Sequence, residues 1–135
     1  MRRITGMAAA LALAGCAAEE GVDLDSAGAM RFQQDCAACH GVDGRGSGSF
    51  GTALITAPPD LTRIAARNGG VFDLDEVMTV IDGYHRGERF SAAMPEFGAG
   101  DMGPMVTMPG PEGQGTPVPL GLLELGRYIE SIQRP

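Results

Sequence analysis

Two cysteines and a histidine lie within the five-residue segment Cys36-Ala37-Ala38-Cys39-His40, which constrains this chain more than any other feature. Each of two thiols three positions apart can add to a vinyl group of haem, and the imidazole that follows reaches the iron from the same side. We therefore predict that Cys36 and Cys39 form thioether links to one haem c, and that His40 is the proximal iron ligand.

Other uses of this segment compete less well. A thioredoxin-type CxxC needs a βαβ context, which the sequence does not suggest. A zinc ion needs four nitrogen or sulfur ligands, and adjacent Cys39 and His40 would have to share it with Cys36 and His85. An iron–sulfur cluster needs more thiolates than the domain has. A plain disulfide between Cys36 and Cys39 stays open as an alternative in an oxidising compartment.

The N-terminus has the features of an export signal. Arg2 and Arg3 precede a short apolar run at residues 7–14, which is too short to cross a bilayer and has the length of a signal-peptide core. The run ends in Leu13-Ala14-Gly15-Cys16, which resembles the lipobox of bacterial lipoproteins, where the Cys after the cleavage site carries the lipid. We predict a signal peptide at residues 1–15, a lipidated Cys16 with a flexible tether at 16–25, and one domain at 26–135. An ordinary signal peptide with an accidental Cys16 is the alternative.

The charge of the chain bears on its partners. Removing residues 1–15 deletes two Arg and no acids, which leaves 8 basic and 17 acidic residues and a net charge of −9. The sequence contains no Lys and no basic run, so nucleic-acid binding has no electrostatic support. A negatively charged surface suggests partners with a basic or apolar docking face.

Periodicity and capping residues predict short helices separated by long loops. The predicted helices are one capped by Ser26 or Asp25 and running through Gln34, one at residues 61–67, one from Asp73 or Asp75 to Gly83, and one at residues 120–133. A glycine-rich loop follows the CxxCH segment at residues 41–51, and residues 98–119, crowded with Gly and Pro, are predicted to be an irregular loop. No stretch alternates as a strand.

The domain resembles the class I cytochrome c family from about Ser26 to the C-terminus. The matching residues are Gly28, Phe32 and Cys36 in its lead-in, Gly41 after the haem histidine, Pro59-Asp60-Leu61 as its P-x-L, Ile81-Asp82-Gly83 and Met94-Pro95-Glu96-Phe97-Gly98 around its distal ligand, and Leu125-Gly126-Arg127-Tyr128-Ile129 in its C-terminal helix. The resemblance implies an all-α, small cytochrome c fold with about four short helices and long loops wrapped round one haem. It also implies that the Pro59 carbonyl accepts a hydrogen bond from His40, and that Met94 is the distal iron ligand.

Several residues rival Met94 or suggest other roles. Met108-Pro109 copies Met94-Pro95 and ranks second as the distal ligand, and His85 would give a bis-His haem of lower potential. Met102, Met105 and Met108 recur every third residue, a spacing that suits a soft metal such as Cu(I). The 98–119 loop itself is expected to cover the haem edge or to form a docking surface. Four arginines are candidates for pairing with haem propionates: Arg63, Arg67, Arg86 and Arg89.

These features together favour a membrane-tethered electron-transfer protein rather than an enzyme. Its haem iron would cycle between Fe(II) and Fe(III), on the periplasmic side of a bacterial membrane, between respiratory or periplasmic redox partners. The alternative is a haem-based catalyst or gas sensor with an open sixth iron site. A third possibility is a copper-handling lipoprotein that uses Met102, Met105 and Met108.

Overall fold

The computed structural model of the chain describes residues 23–84, 93–110 and 114–135. The described helices are α1 (Leu24–Asp35), α2 (Ala37–His40), α3 (Ile64–Arg67), α4 (Leu74–Asp82) and α5 (Leu120–Ser131). Three short 3₁₀ turns cover Gly51–Ala53, Leu61–Arg63 and Phe97–Ala99, and two strands, β1 (Met105–Pro109) and β2 (Gly115–Pro119), form an antiparallel pair. Among the described residues, no helix is both long enough and apolar enough to cross a membrane.

The first helix begins earlier than the sequence suggested. Asp23 is the N-cap, and its carboxylate accepts hydrogen bonds from the Ser26 amide at 3.2 Å and the Ser26 hydroxyl at 2.6 Å. The prediction that Ser26 or Asp25 caps the helix is therefore wrong, because both residues lie in the first turn. A cap must accept from a free amide two or three residues ahead, and Asp23 does so.

The next two predicted helices are confirmed. The helix predicted at 61–67 begins as a 3₁₀ turn, continues as α3 and ends at Asn68, directly before two left-handed glycines. The helix α4 is capped by Asp73, whose side chain accepts from the Glu76 amide at 3.0 Å. It ends at Gly83, whose φ of 100° lies in the left-handed region that glycine adopts without strain.

The helices α1 and α5 cross at Gly28. A Cβ atom at Gly28 would collide with the Glu124 carbonyl oxygen and would lie 2.8 Å from Cβ of Tyr128. One turn further along α1, Phe32 is fully buried, and its ring centroid lies 5.2 Å from that of Tyr128. This crossing lets α5 support the helix that leads into the CxxCH segment.

Residues 98–119 are not one irregular loop, which corrects the prediction. Within their described part, β1 and β2 pair from Met105 opposite Pro119 to Pro109 opposite Gly115. Backbone hydrogen bonds from Leu120 to Pro104 and from Gly110 to Gln114 flank this ladder. In an antiparallel pair, every second residue between them turns its backbone N–H and C=O toward the partner strand. The ladder prolines, Pro109, Pro117 and Pro119, all occupy the other positions, where the missing N–H faces away from the partner.

One hydrophobic core joins these elements. Its buried members from α1, α4, α5, the hairpin and the segment before it include Phe32, Val77, Ile81, Met102, Val118, Leu122, Leu125 and Ile129. Half-buried Cys36, Leu61 and Met94 pack against the same core. The core therefore places the CxxCH segment, the Pro59–Leu61 segment and the Met94 segment around one apolar centre.

Candidate haem-binding site

The CxxCH residues lie at a break between two helices. Cys36 closes α1 by donating its backbone N–H to Phe32 at 2.9 Å, and α2 begins at the next residue. The His40 amide donates to the Cys36 carbonyl at 2.9 Å, which completes one helical turn. Residues three and four apart on a helix share a face, so Cys36, Cys39 and His40 project to the same side, and all three are half-buried.

The glycine-rich loop wraps the end of α2. Its amides donate to the last three carbonyls of the helix: Gly46 to His40 at 2.7 Å, Gly48 to Cys39 at 3.2 Å and Phe50 to Ala38 at 2.9 Å. These are carbonyls that a helix end leaves without internal partners. A Cβ at Gly48 would lie 2.6 Å from the Ala37 oxygen, so only glycine permits this approach. The loop therefore holds His40 in place through the backbone.

The imidazole of His40 is held in its neutral form. Burial, the larger effect, lowers the pKa of His40 below its ordinary value, while the carbonyl of Pro59 beside the ring opposes that shift. Nδ1 is buried and makes no hydrogen bond, so the bond predicted between His40 and the Pro59 carbonyl is not formed in this structure, although that carbonyl lies near the ring. A neutral imidazole has a free lone pair for a metal, and the other ring nitrogen needs a carbonyl acceptor. This donor arrangement fits a haem iron.

The thiols of Cys36 and Cys39 are both free, with no disulfide between them. Burial, with smaller contributions from the charges of Asp35 and Cys39, raises the pKa of the Cys36 thiol to about 12. Catalytic CxxC cysteines need the opposite shift, because the thiolate is the nucleophile. The site therefore does not have the electrostatics of a thiol–disulfide catalyst. Within the described ranges, no group of three His, Cys, Asp or Glu residues is placed to hold a metal ion.

The Met94 segment is carried by the end of α4. A Cβ at Gly83 would lie 2.7 Å from Cγ of Glu96, and one at Gly98 would lie 2.8 Å from the Asp82 carbonyl oxygen. Two glycines thus allow the segment to pack closely on α4. Met94 itself is half-buried against the core. The structure therefore brings Cys36, Cys39 and His40 together on one turn and places Met94 on a separate, α4-bound segment.

The rival methionines lie in three different environments. Met102 is buried in the core, and Met105 is 61% exposed. Met105 and Met108 are three residues apart on β1, so their side chains leave opposite faces of the strand. Three sulfur atoms arranged in this way cannot face one ion, which argues against the copper alternative. The other rivals, His85 and the arginines 86 and 89, lie outside the described residues.

Met108 has its own surroundings. It lines an open groove together with Phe72, Leu74, Pro109 and Arg127. This groove lies between the N-terminus of α4, the hairpin and α5, so it is formed by different elements from those around His40. Nothing in this placement supports Met108 as an iron ligand over Met94.

The two described arginine candidates are solvent-exposed. Arg67 donates from Nη1 to the Asp60 carbonyl at 2.8 Å, and Arg63 lies one turn earlier in the 3₁₀ segment. Arg67 therefore braces the backbone beside Pro59. The pairing of these arginines with haem propionates stays a prediction.

Comparison with known proteins agrees with this site. The model of the family described as Cytochrome c matches residues 26–112, which is more than half of the chain, so the chain belongs to the cytochrome c family. No curated protein and no solved structure matches the chain. The predicted small cytochrome c fold, with about five short helices here, and the predicted covalent haem c are thereby confirmed. The family consists generally of electron-transfer proteins.

Some residues that shape the site were not singled out by the sequence. Gly46, Gly48 and Gly51 are buried against the end of α2 or the Pro58 segment, whereas the sequence indicated only a glycine-rich loop. Gln133 makes side-chain hydrogen bonds to the segment after Pro59, and no local pattern marks it. The run of glycines directly after CxxCH was the one available signal.

Proposed function

We propose that the chain is a lipid-anchored, class I monohaem cytochrome c that carries single electrons between redox partners on the periplasmic side of a bacterial membrane. The observation that carries the proposal is the grouping of Cys36, Cys39 and neutral His40 on one turn, with the Pro59 carbonyl beside the imidazole. When bound, haem c supplies one-electron chemistry as its iron alternates between Fe(II) and Fe(III).

The polypeptide then has three tasks. Cys36 and Cys39 would hold the haem covalently, and the helix end that carries them is fixed by the α1–α5 crossing at Gly28. His40 would ligate the iron as a neutral imidazole, because burial keeps its pKa low. The shared core would exclude water from one side of the haem. No residue has to act as an acid, base or nucleophile, so an electron carrier needs nothing further from the chain.

Met94 is proposed as the distal ligand. Its thioether is a soft, neutral donor that favours Fe(II) and so raises the reduction potential. The packing of Gly83 and Gly98 between α4 and the Met94 segment supports a defined position for this residue. Ligation by both His40 and Met94 would keep the coordination of the iron unchanged between oxidation states, which suits rapid electron transfer.

The lipid anchor is proposed from the sequence around Cys16. Two acyl chains on one Cys give stable membrane attachment, whereas one chain gives only marginal binding. Seven residues, 17–23, separate Cys16 from the start of α1 at Leu24. Seven residues reach at most ~25 Å when fully extended. The haem domain would therefore stay close to the membrane surface and meet partners there, and its excess of acidic residues favours partners with basic docking faces.

An optical spectrum of the purified protein, with a pyridine haemochrome assay, tests haem attachment. The Met94→Ala variant should lose the red charge-transfer band of a thioether–ferric bond. The Met105→Ala variant should keep it, because Met105 is 61% exposed on the outer face of β1. If Met94→Ala retains the band and Met108→Ala loses it, Met108 is the ligand.

Carbon monoxide separates the carrier from a catalyst or gas sensor with an open sixth site. The reduced wild-type protein should show the same spectrum with and without CO, since His40 and Met94 would both ligate the iron. Met94→Ala should bind CO and serves as the positive control. Rapid CO binding by the wild type would contradict the electron-carrier proposal.

Detergent phase partition tests the anchor separately. Protein made in a bacterial host should enter the detergent phase, and the Cys16→Ala variant should stay in the aqueous phase with its haem spectrum unchanged. Intact wild-type protein found in the aqueous phase would contradict lipidation but leave the haem proposal standing.

A further inference from the structure

Gln133 ties the end of α5 to the segment that follows Pro59. Its side chain makes three hydrogen bonds: Oε1 accepts from the Ala65 amide at 2.9 Å, and Nε2 donates to the Leu61 carbonyl and to the Ile129 carbonyl, both at 2.8 Å. Ile129 belongs to α5, while Leu61 and Ala65 belong to the 3₁₀ turn and α3. A single half-buried amide therefore spans two elements that are 68 to 72 residues apart in sequence.

The same segment is held from further directions. The Arg134 amide donates to the Thr62 carbonyl at 2.8 Å, next to the Gln133 contacts. On the other side, the Leu61 amide donates to the Gly44 carbonyl at 2.7 Å. Thr62 is buried, and its amide and hydroxyl both donate to Oδ1 of Asp60. Residues 59–62 are thus fixed between the C-terminus and the loop that follows His40.

This segment reaches His40 through short, rigid connections. The Gly46 amide donates to the His40 carbonyl at 2.7 Å. Because Gly46 has no Cβ, the backbone of Pro58 can pack against it, and the Pro59 oxygen lies 3.5 Å from where a Cβ would be. The Pro59 carbonyl lies beside the His40 imidazole. Two residues after Pro59, Leu61 accepts from Gln133. A shift of Leu61 would therefore move the Pro59 carbonyl relative to the imidazole.

We propose that Gln133 is a positioning residue that sets how closely the Pro59 carbonyl approaches the His40 ring, and that it thereby tunes the reduction potential of the haem. This inference rests on the proposed haem function. A hydrogen bond to the outer nitrogen of a metal-bound imidazole raises the basicity of the ring. A more basic ligand stabilises Fe(III), so a looser contact should make the potential more positive.

The test compares Gln133→Met with Ser131→Ala in the full-length, haem-loaded protein. Methionine has nearly the length and volume of glutamine but makes none of the three hydrogen bonds. Ser131 lies at the same end of α5, and its exposed hydroxyl donates to the Tyr128 carbonyl at 2.7 Å within the helix, so Ser131→Ala removes a hydrogen bond there without altering the core or the bonds to residues 61–65. The measurements are the reduction potential, the hydrogen exchange of the Ala65 amide, and the free energy of unfolding.

Gln133→Met should exchange the Ala65 amide faster and shift the potential to a more positive value, while Ser131→Ala should leave both the Ala65 exchange and the potential unchanged. The proposal is overturned if Gln133→Met keeps the wild-type potential, or if Ser131→Ala shifts it as far. If the wild-type protein gives no pyridine haemochrome, the proposed function itself is wrong. If the protein carries haem but Gln133→Met has the wild-type potential, only the proposed role of Gln133 is wrong.

Discussion

Replacing Gly28 by alanine tests the close crossing of α1 and α5. The new Cβ would collide with the Glu124 carbonyl oxygen and would lie 2.7 Å from its carbonyl carbon and 2.8 Å from Cβ of Tyr128. Two of these three atoms belong to the backbone and the third is a Cβ, so none can rotate away and the helices must separate. Alanine gains about 1 kcal/mol of helix propensity over glycine. Overpacking costs about 3 kcal/mol at the upper end of its usual range, so we expect a net loss of about 2 kcal/mol.

A second glycine provides the matched control. A Cβ at Gly126, also inside a helix, would meet Cδ1 of Leu74 at 2.6 Å and Cγ of Met78 at 3.2 Å, which belong to flexible side chains that can shift. The propensity gain there should offset most of the steric cost, so Gly126→Ala should stay within about 1 kcal/mol of the wild type.

Denaturation of the haem-loaded protein, followed by circular dichroism, gives both free energies of unfolding. Because α1 leads directly into Cys36, Gly28→Ala should also lower the fraction of chains that acquire haem. A Gly28→Ala protein as stable as the wild type, or a Gly126→Ala protein equally destabilised, would refute the reasoning about backbone contact.

Three further predictions follow from single contacts. Phe32→Ala removes a fully buried ring and should cost about 3–5 kcal/mol in chemical denaturation, whereas Met30→Ala, 64% exposed on the same helix, should change stability by about 0.5 kcal/mol or less. Hydrogen bonds from Thr62 hold the pKa of Asp60 below its ordinary value of 3.8. The contribution of Asp60 to folding stability is therefore present above that pH and is lost as the pH falls through the folded-state pKa. Asp60→Asn should flatten this loss of stability in urea titrations at acid pH. Gly48→Ala would push the loop off the end of α2 and should reduce haem incorporation on a haem-stained gel, and normal incorporation would show that the loop does not position the helix.

The ends of the helices were more predictable than their starts. Gly83 ends α4 as expected, and Asp73, one of the two predicted starts, caps it, because a capping carboxylate and a left-handed glycine act within three residues of the helix end. At the start of α1, three neighbouring residues could each serve as a cap. Asp23 does so because its carboxylate reaches both the amide and the hydroxyl of Ser26, a choice that residue type alone does not decide.

The hairpin was missed because its prolines look like strand breakers. Pro117 and Pro119 are two residues apart, and both turn their missing N–H away from β1, so neither disrupts the ladder. The spacing of two was a signal for a strand, but the Gly- and Pro-rich composition outweighed it. The pairing also separates Met105 from Met108, and so removes the copper site that the three-residue spacing had suggested.

The chemistry of haem attachment is contained in the sequence, whereas the environment of the haem ligand depends on the tertiary structure. Cys36, Cys39 and His40 lie within one helical turn, so their spacing alone brings the reactive groups to one side. The neutral state of His40, the approach of Pro59 and the support from Gln133 arise from groups that meet only when the chain folds. Leu61 and Gln133 are 72 residues apart, and local patterns carry no record of contacts across such a distance.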